Sequence, residues 1–277
     1  MTQITASQVN SLRKQTGAGM MDCKKALIET GGDMDKAIDV LRKKGQKVAA
    51  KRADRESSEG VVLSATSDDF KTGVMLSLNC ETDFVAKNDS FISIANTILK
   101  IAVDNKVNSI EDLKQLQYDN SMSISEKLIE QTGVIGEKIE LNNYSLIQAE
   151  YVSNYIHNGN KLSSLVGFNM RDVNAMEIGQ NIAMQIAAMN PLGLNESDIP
   201  KDVVDKEIEI GKDLARKEGK PEEMLDRISQ GRLKKFFKEN TLLHQLYIQD
   251  SKKTVKQYLT DCNKDLDILN FRRSSLT

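Results

Sequence analysis

Three cysteines and two histidines are all that this chain of 277 residues offers for thiol, imidazole or zinc chemistry. Cys23, Cys80 and Cys262 stand far apart, no Cys-x-x-Cys pair occurs, and His157 and His244 have no neighbours at metal-ligand spacing. A cysteine nucleophile needs a base within reach. For Cys80 the nearest in kind is His157, and no companion motif surrounds either residue. Cys80 therefore reads as a small residue at a strand end. The Gly-x-Gly of TGAGMMDCKKAL follows no strand and lacks the third glycine, and GNKLSS lacks the frame of a phosphate loop. This leaves no catalytic residue, no metal ligand and no cofactor site, so the chain reads as a non-enzyme.

What does stand out is NCETDFVAKN, residues 79–88. A strand pattern, Val74-Met75-Leu76-Ser77-Leu78, runs into it, and a helix pattern, Phe91-Ile92-Ser93-Ile94-Ala95, leaves it. Connections lie on the surface and are normally polar. Here Phe84 and Val85 follow directly on Glu81, Thr82 and Asp83. Either Phe84 folds back as the first core residue of the next helix, or it is held out to contact something else.

The elements around this loop are legible in outline. At the N-terminus Thr5 and Gln8 have the spacing of a capping box, Ile4 and Val9 that of a hydrophobic staple, and Gly17 that of a left-handed C-cap. A second helix spans Asp22 to Thr30, and a third starts at the N-cap Asp33, with Gly45 marking its end or a bend. Residues 1–55 thus form a three-helix module and linker, too small for much more than docking. The body, 56–145 and 146–277, repeats a pattern of turn, strand and helix after about ninety residues, which predicts two related α+β lobes. In the second lobe the loop after the strand is an ordinary polar connection, Met170 to Asn174. From about 200 to 238 two charged helices joined at Gly219-Lys220-Pro221 predict a protruding antiparallel hairpin of coiled-coil type. Ser251 to Leu269 reads as a further helical region, and the tail FRRSSLT as frayed.

Composition narrows the partners. The net charge is −2, aromatics are 5% and tryptophan is absent, which argues against direct nucleic-acid binding. The charge is divided, with 12 Lys/Arg against 6 Asp/Glu in residues 1–55 and an acidic excess in the rest. A basic head suits an acidic surface, or is simply a solvated helix face. No apolar run suits a membrane span, and an odd cysteine count behind MTQITASQVN, which lacks an apolar leader, fits a reducing cytoplasm.

Several stretches together resemble the bacterial translation elongation factor Ts family. LRKQTGAGMMDCKKALIETGGDMDKAIDVLRKKG is similar to its N-terminal module, which resembles a ubiquitin-associated (UBA-like) three-helix bundle. ETDFVAKN matches the family's loop at Thr82, Asp83, Phe84, Val85 and Ala86, and YIHNGNKLSSLV resembles its Tyr-x-His turn and strand, with Ser163-Ser164 where Gly-Val is usual. IAMQIAAMNP and GRLKKFFKENTLLHQLYIQDSKKTV match later signatures, so the likeness runs in order from residue 3 to about 260. The resemblance implies guanine nucleotide exchange on elongation factor Tu, bound both with GDP and without nucleotide. It implies that Thr82, Asp83, Phe84 and Val85 disturb the GTPase's Mg²⁺ and phosphate side, with His157 as a supporting contact and the basic head docked on the GTP-binding domain. A non-catalytic module reusing the head on a ribosome or a chaperone substrate is the alternative, and it has no need of the Thr-Asp-Phe-Val loop. Self-association stays open.

Overall fold

A computed structural model describes residues 4–276. Three helices open the chain, α1 (Ala6–Thr16), α2 (Met20–Glu29) and α3 (Met34–Arg52). Their ends form where the local chemistry requires. The Thr5 N–H donates to Gln8 Oε1 at 2.9 Å while the Gln8 N–H returns to Thr5 Oγ1, Gly17 ends α1 at φ 70°, and Asp33 accepts from the Lys36 N–H. Val9, Leu12, Cys23, Ala26, Leu27 and Ala37 make their small core, and Ile4 packs beside it.

Gly45 does not end α3, contrary to one of the two sequence expectations for it. The helix runs on to Arg52 and is carried past a helix of the body, Ile124–Ile135, where Gly45 meets Gly133. A glycine inside a helix here serves close backbone approach.

The first lobe is a hairpin, β1 (Glu59–Thr66) and β2 (Thr72–Cys80), then a single helical turn α4 (Asp83–Ala86) and the long helix α5 (Asp89–Asn105). Two further helices, α6 (Ile110–Gln115) and α7 (Ile124–Ile135), lead to β3 (Glu140–Gln148), which completes an antiparallel sheet of order β1-β2-β3. The second lobe repeats the plan: hairpin β4 (Tyr151–Ile156) and β5 (Leu162–Phe168), then α8 (Ala175–Met189). The helical hairpin α9 (Lys201–Lys217) and α10 (Leu225–Asn240) follows, with its own seam of Val203, Val204, Ile208, Leu233 and Phe237. A two-stranded ribbon, β6 (Leu246–Tyr247) and β7 (Asp250–Thr254), and helix α11 (Val255–Cys262) bring the chain back to β8 (Ile268–Ser275). The second sheet has order β4-β5-β8.

Two expectations near the C-terminus are therefore corrected. Residues 251–269 hold a strand end, a short helix and a strand start rather than one helix, because Thr254 caps α11 and Asn263 closes it. The tail is not frayed over its described part: β8 pairs with β5 from Leu162↔Ser275 to Phe168↔Ile268, with one register shift between Gly167 and Phe168. Thr277 lies outside the described residues.

The two sheets pack on each other, with α5 on one outer face and α8 on the other, so β2 is buried along its whole length. Side chains on a strand alternate between faces. Val74, Leu76, Leu78 and Cys80 join Phe91, Ala95 and Ile98 of α5, while Met75 joins Val62, Ile147, Val152 and Leu165 between the sheets. The lobes are tied reciprocally. The Val62 N–H donates to the Asn160 carbonyl and the Val152 N–H to the Phe70 carbonyl, each at 2.6 Å. Both acceptors are turn residues in the left-handed region, with φ 57° and 58°. The two serines that depart from the family pattern are satisfied where they lie buried: Ser163 Oγ donates to Tyr155 O and contacts Ser64 Oγ, and Ser164 Oγ donates to Ala183 O at 2.7 Å.

Candidate functional site

β2 delivers the chain to the loop at Cys80. That thiol is fully buried, its hydrogen points to the Thr82 carbonyl at 3.2 Å, and burial pushes its pKa up to about 12. A nucleophile needs the opposite environment, so the cysteine is structural.

Thr82 then caps α4, its Oγ1 accepting from the Val85 N–H. The turn divides its residues cleanly. Ala86 is buried and Val85 packs half-buried on the first lobe's core. Phe84 points away and is 83% exposed. This decides between the two readings of Phe84: the neighbouring Val85 and Ala86 supply the core contacts, and the ring does not. Asp83 lies beside it, held below the usual carboxylate range chiefly by the hydrogen bond from Lys87 Nζ at 2.7 Å.

The loop is fixed from behind by residues distant in sequence. Glu81 accepts from the Lys138 N–H at 2.7 Å, and Arg52 Nη1, at the end of α3, lies 2.7 and 2.8 Å from its two oxygens. These bonds, the backbone one foremost, lower the Glu81 pKa. Thr82 gives both its N–H and its hydroxyl hydrogen to Glu137, at 3.0 and 2.7 Å. Sequence reading missed Arg52, Glu137 and Lys138. The one local hint was Gly136, which ends α7 at φ 82° and turns Glu137 back toward the loop.

His157 sits exposed at the β4–β5 turn, its Nδ1 2.9 Å from Tyr155 Oη. The same turn carries Lys161, which pairs with Glu59 at 2.9 Å. The Tyr-x-His turn also lies against the first strand, where the Val62 N–H donates to the Asn160 carbonyl. The second lobe's loop is less polar in effect than its sequence suggests, since Val173 is exposed in it and Met176 is exposed in the first turn of α8 that follows.

The family model for elongation factor TS matches residues 81–277, starting at the loop itself. An elongation factor Ts of Christiangramia forsetii is 53% identical over 276 residues, covering 100% of both chains. Those of Flavobacterium psychrophilum, 48% identical with 100% of both chains covered, and of Porphyromonas gingivalis, 45% identical with 99% of this chain and 98% of the relative, align over the same extent. The chain belongs to the elongation factor Ts family. The full-length relatives of this Ts family cover the three-helix head as well as both lobes. Among the described residues no helix is long and apolar enough to cross a membrane.

Proposed function

We propose that this chain is a guanine nucleotide exchange factor in the cytoplasm, accelerating GDP release from elongation factor Tu by inserting Phe84 and Asp83 beside the GTPase's Mg²⁺ and phosphate contacts. The observation that carries the reading is the exposure of Phe84 on a capped helical turn, with its two C-terminal neighbours anchored in the lobe. A large apolar side chain held in water in this way gains roughly 1.5–3 kcal/mol when a partner buries it.

An exchange factor must bind the nucleotide-free GTPase better than the GDP-bound one, because coupling between the two ligands is reciprocal. A GTPase holds GDP through a pre-organised phosphate cradle and its Mg²⁺. A ring that enters only when the Mg²⁺-side elements have moved converts its burial into that preference. Asp83 brings a carboxylate to the same place, where it competes for donors that otherwise face phosphate oxygens. Thr82 and Val85 set the turn's geometry, and His157 adds a contact from the neighbouring turn.

The test is release of fluorescently labelled GDP from purified elongation factor Tu. Phe84→Ala should cost about 2 kcal/mol at the interface, roughly a thirtyfold loss of catalysed release at limiting factor. A folded Phe84→Ala protein that releases GDP as fast as the wild type overturns the proposal.

A further inference from the structure

A helical turn of four residues cannot hold itself, because nucleation costs more than one turn of hydrogen bonds returns. The bond within α4's own cap is long, 3.5 Å from the Val85 N–H to Thr82 Oγ1. Something outside the turn keeps it wound. Val85 and Ala86 pack on the core and the Cys80 thiol meets the Thr82 carbonyl, and beside these, two consecutive residues, Glu137 and Lys138, grip two consecutive residues, Thr82 and Glu81.

The two grips differ. Glu81 has a second partner in Arg52, so its place does not depend on Lys138 alone. The Thr82 N–H and hydroxyl are both held by the Glu137 carboxylate, through hydrogen bonds of 3.0 and 2.7 Å, while its carbonyl meets only the weak Cys80 thiol donor from outside the turn. Both are charge-assisted, the stronger kind. They also commit the Thr82 hydroxyl hydrogen, leaving its lone pairs to receive the Val85 N–H. The Thr82 carbonyl, fixed with them, accepts from the Ala86 N–H at 3.2 Å.

We propose that Glu137 is the positioning residue of the exchange loop: its carboxylate clamps Thr82, keeps α4 wound, and so holds Phe84 outward before the GTPase arrives. This rests on the reading of the loop as a wedge. Pre-ordering removes the entropy of organising the loop during binding, and that saving appears in affinity and exchange alike.

The experiment places Glu137→Ala and Glu137→Gln in the wild-type chain and in Phe84→Ala. It reads amide hydrogen exchange at Val85, Ala86 and Lys87 in the free protein, and labelled GDP release from elongation factor Tu. Loss of both bonds should raise amide exchange in the turn and slow GDP release, each about tenfold. Glutamine can remake one of the two bonds and should fall between alanine and the wild type. With Phe84 already removed, Glu137→Ala should change release by less than about twofold, since it acts through the ring. Unchanged protection of the turn, or an equal loss of release in both backgrounds, overturns the proposal. Faster amide exchange in the turn, combined with wild-type release by Phe84→Ala, leaves the clamp standing and sinks the wedge reading instead. Should the alanine variant fail to fold, the glutamine variant carries the same comparisons.

Discussion

Gly133→Ala tests how the head is set against the loop. An added Cβ at Gly133 would stand 2.5 Å from Gly45 Cα; the Cβ is fixed by its own helix backbone and the Cα is part of one, so neither can rotate away. Carbon atoms rest at about 3.5–4.0 Å. The two helices must therefore part by about 1 Å. Overpacking of this kind costs about 1–3 kcal/mol. Alanine returns up to about 1 kcal/mol through its better helix propensity. With the cost near the middle of that range and the full return, the balance is a loss of about 1 kcal/mol, or about 2–4 °C in the melting midpoint for a chain of this size. Gly45→Ala is the internal comparison: its Cβ would meet Ile129 O at 3.4 Å and Gly133 Cα at 3.7 Å, so it should be far milder. Displacing α3 also moves Arg52 from Glu81, and exchange should slow beyond what lost stability explains. Differential scanning calorimetry of both variants checks the order. A Gly133→Ala midpoint equal to or above the wild type refutes the close crossing.

The pH dependence of stability should carry the signature of Glu81. Its folded pKa is depressed below the ordinary 4.5, so its contribution is complete above pH 4.5 and disappears as acid titrates the folded carboxylate. The melting midpoint of Glu81→Gln should lie below the wild type at neutral pH and converge with it below that value; a gap that persists undiminished into strong acid contradicts the assignment. Thiol labelling of the folded protein should modify Cys262 alone, since Cys23 and Cys80 are buried, and denaturation should expose the other two. Rapid labelling of Cys80 without unfolding would restore it as a reactive group.

The sequence was legible where its signals were local. Thr5 with Gln8, Gly17 and Asp33 each act within a turn of themselves, so spacing alone placed them. The repeat was visible because both lobes use the same hairpin and covering helix. Gly45 was misread because a helix glycine serves equally as a stop or as a crossing, and its partner Gly133 lies in another lobe element. The region 251–269 is helical only over Val255–Cys262, and its strand ends and the tail are not legible because β8 owes its state to pairing with β5, while Lys252, Lys253 and Arg272 mask any apolar alternation. The loop itself is conspicuous, since an apolar pair after acidic residues contradicts its surroundings. Its supports were not: Glu137 and Arg52 are ordinary charged residues until the fold sets them against Thr82 and Glu81.

The sharpest check on the wedge is a comparison of affinities. Binding of the wild-type chain and of Phe84→Ala is measured to elongation factor Tu twice, once loaded with GDP and Mg²⁺ and once free of nucleotide. The wedge mechanism predicts that the wild type prefers the nucleotide-free GTPase, and that removing the ring narrows that preference by about tenfold or more. If Phe84→Ala weakens both complexes equally, the ring is an anchor with no part in expelling GDP, and the mechanism is wrong.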